Sequence, residues 1–148
     1  MFRIIILSLV TSFALHAQAH AQSLSDVKLP AFTNSEVVDL GKYQDQTVII
    51  NFFASWCTAC IKELPELEAI KKAHPKAIFI AINAGEKPVL VKKFLAKYPF
   101  SYQVLLDPSK SVSTKWGIEE LPRTLVFKAG KLIYNEHIPP RASLLNNL

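Results

Sequence analysis

Thr47-Val48-Ile49-Ile50-Asn51-Phe52-Phe53-Ala54-Ser55-Trp56-Cys57-Thr58-Ala59-Cys60 is the stretch from which the fold can be read. Thr47 to Ala54 is β-branched and aromatic without clean alternation, the pattern of a strand covered on both faces. Beyond the cysteines, Ile61, Leu64, Leu67 and Ile70 recur at helical spacing. A helix is therefore expected from Thr58 to about Lys72, with Pro65 inside it and kinking it. The only two cysteines of the 148-residue chain stand where that strand turns into that helix. A thiol at a helix start faces unpaired backbone N–H groups and the positive end of the helix dipole, and both favour the thiolate. A second cysteine one turn later can attack the first sulfur, so the pair can cycle between dithiol and disulfide.

Two other uses of the pair are weaker. Zinc takes four ligands, and beyond the leader only His74 and His137 could join the cysteines, far apart and outside finger spacing. A purely structural disulfide across so short a loop would contribute about 2 kcal/mol in the chain-entropy model. Half of the residues are hydrophobic, enough for a sizeable core without such a staple.

Working outward, Gln22 to Leu40 reads as an N-terminal extension with one or two short strands, and Gly41-Lys42 as a turn. Ala77 to Ala84 is a second buried strand. Lys87 to Lys97 is a helix with Val89, Leu90, Phe94 and Leu95 on one stripe, ending before Pro99. Tyr102 to Leu106 is a short strand, and Asp107-Pro108 opens a turn into a short helix ending near Trp116-Gly117. Leu125 to Lys128, Ala129-Gly130 and Lys131 to Glu136 form a hairpin, and Arg141 to Asn147 a brief final helix. This order implies an α/β sandwich, a parallel core with an antiparallel hairpin at one side.

Met1-Phe2-Arg3, the apolar run Ile4 to Leu15 and Ala19-His20-Ala21 make the three parts of a secretory signal peptide. The expected organisation is a signal peptide over 1–21 and one domain over 22–148, with cleavage after Ala19 as the near alternative. An uncleaved membrane anchor is the other reading of the leader. Export would place the protein in the periplasm or another extracytoplasmic space, where a CxxC pair oxidises unless it is kept reduced. Formal charge is +5, or +4 without Arg3. No basic stripe is interleaved with aromatics, which argues against nucleic-acid binding.

Asn51 to Pro65 resembles the active-site stretch of the exported TlpA/ResA group of thioredoxin-like proteins: an aromatic strand, W-C-x-x-C, Glu three residues on and Pro two after that. Trp116-Gly117-Ile118 followed by Leu121-Pro122-Arg123-Thr124 resembles the second signature of that family. The resemblance implies a thioredoxin-like three-layer sandwich, a central mixed sheet flanked by helices, with a short N-terminal β extension. It implies Cys57 as nucleophile and Cys60 as resolving cysteine. Pro122 would be cis, with the backbone of Leu121 offered to a client peptide; read without the family, Pro122 is a strand-edge proline. Trp56 either shapes the docking surface or packs in the core, and Trp116 reads as core. Glu63 is either a modulator of the buried cysteine's proton transfers or a helix-face acid. Asn51 stands where cytoplasmic thioredoxins carry a buried Asp. Arg123 departs from the family pattern, and its head reaches either Cys57 or solvent. His74 and His137 read as surface residues.

No metal is implied, nor any cofactor beyond the Cys57–Cys60 disulfide. The implied activity is reduction of disulfides in client proteins with cysteine pairs, in cytochrome c maturation or metal-site assembly, with a membrane electron donor for recycling. The alternatives are an oxidant of secreted proteins and a non-catalytic binding module. Against the oxidant, about 14 residues separate Ala84 from Pro99, too few for the large helical insertion such enzymes usually carry.

Overall fold

The computed structural model describes residues 22–146. The leader expected over Met1 to Ala21 lies outside them. The chain forms β1 (Lys28–Pro30), β2 (Val37–Asp39), β3 (Thr47–Phe53), α1 (Thr58–Ala73), β4 (Ile78–Ala84), α2 (Pro88–Lys97), β5 (Gln103–Asp107), α3 (Ser111–Lys115), β6 (Arg123–Lys128), β7 (Lys131–Glu136) and α4 (Ala142–Leu145). The main sheet has the order β5-β4-β3-β6-β7. β3, β4 and β5 run parallel, while β6 pairs antiparallel with β3, and β7 antiparallel with β6. β1 and β2 form the separate N-terminal hairpin. The expected architecture is thus the observed one.

β3 is central because its side chains are apolar on both faces. Val48, Ile50 and Phe52 pack into one cluster with Ile80, Ile82, Leu125 and Phe127, closed by Leu24, Leu29, Val38 and Leu40 of the N-terminal extension and by Trp116. Ile49 and Phe53 point the other way, to Leu67 of α1, Val91 and Phe94 of α2, and Leu145 of α4. Trp116 lies in the core, its ring 6.1 Å from that of Phe52 and 5.6 Å from that of Phe127.

α1 continues through Pro65. The stripe on α2 differs from expectation: the helix buries Val91 and Phe94, with Leu95 and Tyr98 partly covered, and leaves Val89 and Leu90 55% and 43% exposed. Val91, Phe94, Leu95 and Tyr98 follow i, i+3, i+4, i+7, and Val89 falls on the opposite side. Gly41-Lys42 lies within a 3-10 turn over Leu40–Tyr43, where Asp39 Oδ1 accepts the Gly41 N–H at 2.8 Å. Ala129 and Gly130 both take positive φ, 47° and 73°, as a hairpin turn matched to strand twist requires.

Asp107 ends β5 fully buried, and its oxygens accept from Ser113 N–H at 2.8 Å, Ser113 Oγ at 2.7 Å and Ser111 Oγ at 3.0 Å. It thereby ties α3 to the sheet. Asp107→Ala leaves buried donors unpaired, so unfolding free energy should fall by about 2 kcal/mol. Urea denaturation should show a lower midpoint with an unchanged slope.

Candidate active site

β3 ends at Phe53 and the chain turns at once, Cys57 N–H donating to Ala54 C=O at 3.1 Å. Cys57 then takes extended backbone angles and becomes the N-cap of α1, its Sγ accepting from Cys60 N–H at 3.1 Å. The two cysteines are joined as a disulfide with 5.3 Å between their Cα atoms. Both are buried, Cys57 4% and Cys60 3% exposed. Exposure therefore does not tell them apart, but position does. Only the Cys57 sulfur lies at the helix N-terminus and receives a backbone N–H, the geometry that stabilises a thiolate. Thr58 and Ala59 between them are exposed.

Trp56 is 68% exposed, which removes the core reading and leaves its indole on the surface beside the disulfide. Leu121-Pro122 is a cis peptide. Leu121 packs against both core clusters, including the one that holds Cys57 and Cys60. The β3–β6 register sets Arg123 opposite Phe52, so Pro122 lies level with the end of β3, where the cysteine loop begins.

Arg123 takes neither course expected of it. Its guanidinium turns to β7: Nε donates to Asn135 Oδ1 at 2.5 Å, Nη2 to Asn135 C=O at 3.2 Å, and Nη1 to His137 Nε2 at 2.7 Å. Since arginine only donates, His137 Nε2 accepts, and Nδ1–H donates to Pro122 C=O at 2.9 Å. His137 lies on the surface, as expected, but is not free: with Arg123 it ties the proline loop to β7. Asn51 is buried and donates to Thr124 Oγ1 at 3.1 Å, a structural bond between β3 and β6.

Glu63 is partly buried on α1, and its Oε2 has no hydrogen-bond partner among the described residues. Burial first, then the Glu66 carboxylate, push it up to about 7. That excludes a plain exposed helix-face acid and makes Glu63 a group able to exchange protons near neutrality.

Sequence reasoning missed one group altogether. Glu86, in the loop after β4 and 8% exposed, accepts from Ser55 N–H at 2.7 Å, from Ser55 Oγ and from Asn83 Nδ2 at 2.7 Å. Its own N–H donates to Asn83 Oδ1 at 3.2 Å. The sole local signal is a polar Asn83 closing an otherwise apolar strand just before Gly85-Glu86.

The chain matches the Redoxin family over residues 19–146 and belongs to it. The thiol-disulfide oxidoreductase ResA of Bacillus subtilis is 30% identical over 105 residues, which cover 68% of this chain and 58% of that protein. The chain thus spans little more than half the length of that relative. A DsbE-type thiol:disulfide interchange protein from Chlorobium tepidum superposes with a TM-score of 0.68 at 27% identity, covering 86% of this chain and 90% of that one. A secreted disulfide oxidoreductase from Mycobacterium tuberculosis shares the fold, with a TM-score of 0.70 at 18% identity over 82% of this chain and 92% of that one. The fold is thioredoxin-like.

The raised Glu63 pKa carries a stability signature. The unfolded chain releases this proton near 4.5 and the folded one near 7. The stabilisation is therefore complete below about 4.5 and is lost as pH rises through 7. Melting temperatures of the oxidised protein should fall between pH 5 and pH 8 relative to those of Glu63→Gln. Parallel curves for the two proteins would refute the assignment.

Proposed function

We propose that this chain is an extracytoplasmic thiol–disulfide oxidoreductase that reduces disulfides in client proteins. The observation that carries the reading is the disulfide at the N-terminus of α1, with the cis Leu121-Pro122 loop packed against the same core cluster. The likeness to the Bacillus subtilis ResA oxidoreductase supports it.

In the reduced protein, the Cys57 thiolate attacks one sulfur of a client disulfide. The other client sulfur leaves as a thiolate, and a mixed disulfide joins Cys57 to the client. Cys60, as thiolate, then attacks Cys57 Sγ and expels the second client sulfur. Two electrons have passed to the client, and the protein is left with the Cys57–Cys60 bond. A reduced electron donor at the membrane returns the dithiol by the same exchange in reverse. Cys60 must lose a proton to act, and Glu63, poised near 7, is the group proposed to accept it. The backbone at Leu121 pairs with an extended client segment, and Trp56, exposed and adjacent to Cys57 in the chain, supplies apolar contact.

The clients proposed are apocytochrome c with its haem-binding cysteines, or an assembly protein for a metal site. Met1 to Ala21 is proposed as a cleaved signal peptide and 22–148 as the working domain.

The direction of transfer is tested by equilibrating the couple with glutathione or dithiothreitol buffers. A potential near or below about −270 mV, that of thioredoxin, supports a reductant; one near about −120 mV, that of DsbA, reverses the proposal. Cys57→Ser should abolish insulin reduction, whereas Cys60→Ser should accumulate mixed disulfides visible on non-reducing gels. Pro122→Thr should lower kcat/KM for a client about tenfold while the far-UV circular dichroism stays unchanged.

A further inference from the structure

The Glu86 carboxylate is buried next to the cysteine loop, and the exchange reaction makes no use of it. Three N–H or O–H donors, from Ser55 and Asn83, converge on its two oxygens. A carboxylate only accepts, so it satisfies all three; an amide in its place would turn an NH2 group toward a donor. None of the ion pairs among the described residues includes Glu86. The neighbour Lys87 is exposed, and so is Lys110, whose side chain lies over Gly85 without forming an ion pair with Glu86. The negative charge is held by hydrogen bonds alone.

Ser55 precedes Cys57 by two residues, which span at most about 7 Å. Glu86 Oε2 lies 2.7 Å from the Ser55 nitrogen. Hydrogen-bonded to the backbone two residues before Cys57, the carboxylate is held against the chain that leads into the nucleophile, and its burial keeps solvent from screening its charge as it would at the surface. A fixed anion so placed disfavours a second negative charge. The Arg123 guanidinium is engaged with β7 and does not offset it.

We propose that Glu86 is a positioning residue for the nucleophile: clamped by Ser55 and Asn83, it fixes the chain leading into Cys57 and keeps a buried negative charge against that chain, weighting the couple toward the disulfide. A thiolate that is harder to form makes the dithiol state less favourable, so the couple becomes more reducing. This rests on the oxidoreductase reading and deepens it, since it gives the direction of electron transfer a structural source.

The test measures Cys57 directly. In a reduced Cys60→Ser background Cys57 is the only thiol, and its alkylation by iodoacetamide at pH 6 follows the thiolate fraction without any turnover. Glu86→Gln should alkylate at least threefold faster than the parent. Glu86→Asp, which keeps the charge, should stay within twofold of the parent. With both cysteines present, the equilibrium of protein disulfide and two glutathiones with protein dithiol and glutathione disulfide should shift at least threefold toward dithiol in Glu86→Gln. An unchanged or slower Glu86→Gln, or an Asp variant that moves as far as Gln, overturns the proposal. Should the wild-type couple fail to exchange with glutathione while alkylation responds as expected, the oxidoreductase reading falls and the charge effect stands. Circular dichroism of each variant excludes misfolding as the cause of a shift.

Discussion

The register of β3 is the constraint on which the site depends. Hydrogen bonding on both edges locks this strand, parallel to β4 with Phe53 opposite Asn83, and antiparallel to β6 with Phe52 opposite Arg123. A slip by one residue would carry every β3 side chain to the wrong face. Both faces are packed, with Phe52 and Phe53 fully buried on opposite sides, so such a slip is strongly opposed. One register thereby delivers three things to the same end of the sheet. The strand's own continuation brings the cysteines, β6 brings Pro122 from one side, and β4 brings Asn83 and Glu86 from the other.

The cysteine sulfurs then sit between opposed electrostatic influences. The N-terminus of α1 draws negative charge to Cys57, through the Cys60 N–H and through the unpaired amides of the first turn. Glu63, further along the same helix, is itself reluctant to ionise because it is buried and faces Glu66. A protonated Glu63 adds no negative charge near Cys60, but an ionised one would. The dithiol is therefore subject both to the N-terminus of α1 and to the carboxylates placed along and beside it.

Much of this was legible in the sequence. The unbroken apolar run before the cysteines gave away β3, and helical spacing after them gave away α1, because both elements are buried along predictable faces. The cis Pro122 was legible only through likeness to a family, since a lone X-Pro is far more often trans. What stayed hidden depends on contacts across the sheet. Glu86 and Ser55 are 31 residues apart in sequence, and no local period links them. His137 looked idle because its partners, Arg123 and the Pro122 carbonyl, lie across the β6–β7 hairpin. Val89 and Leu90 misled for a different reason. Pro88 starts α2 at its N-terminus, and the exposed first turn carries apolar side chains that a stripe count takes for core.

The hairpin contacts also settle what the proline loop can do. Were Arg123 free, its guanidinium could swing toward the cysteine end and cancel carboxylate charge there. Instead three of its nitrogens are engaged with Asn135 and His137, and its orientation serves the carbonyl of Pro122 through His137. The cation thus acts by geometry, stiffening one wall of the site from β7. The opposite wall is stiffened by an anion, Glu86, acting on Ser55 from the β4 loop. The two ties differ in reach. Arg123 is a partly exposed group bound to neutral partners, so solvent screens its charge and its contribution is positional. Glu86 is buried, so its charge is screened far less. Of the two ionic groups that brace the cysteine loop and its facing proline, only the acid carries its charge in a buried position.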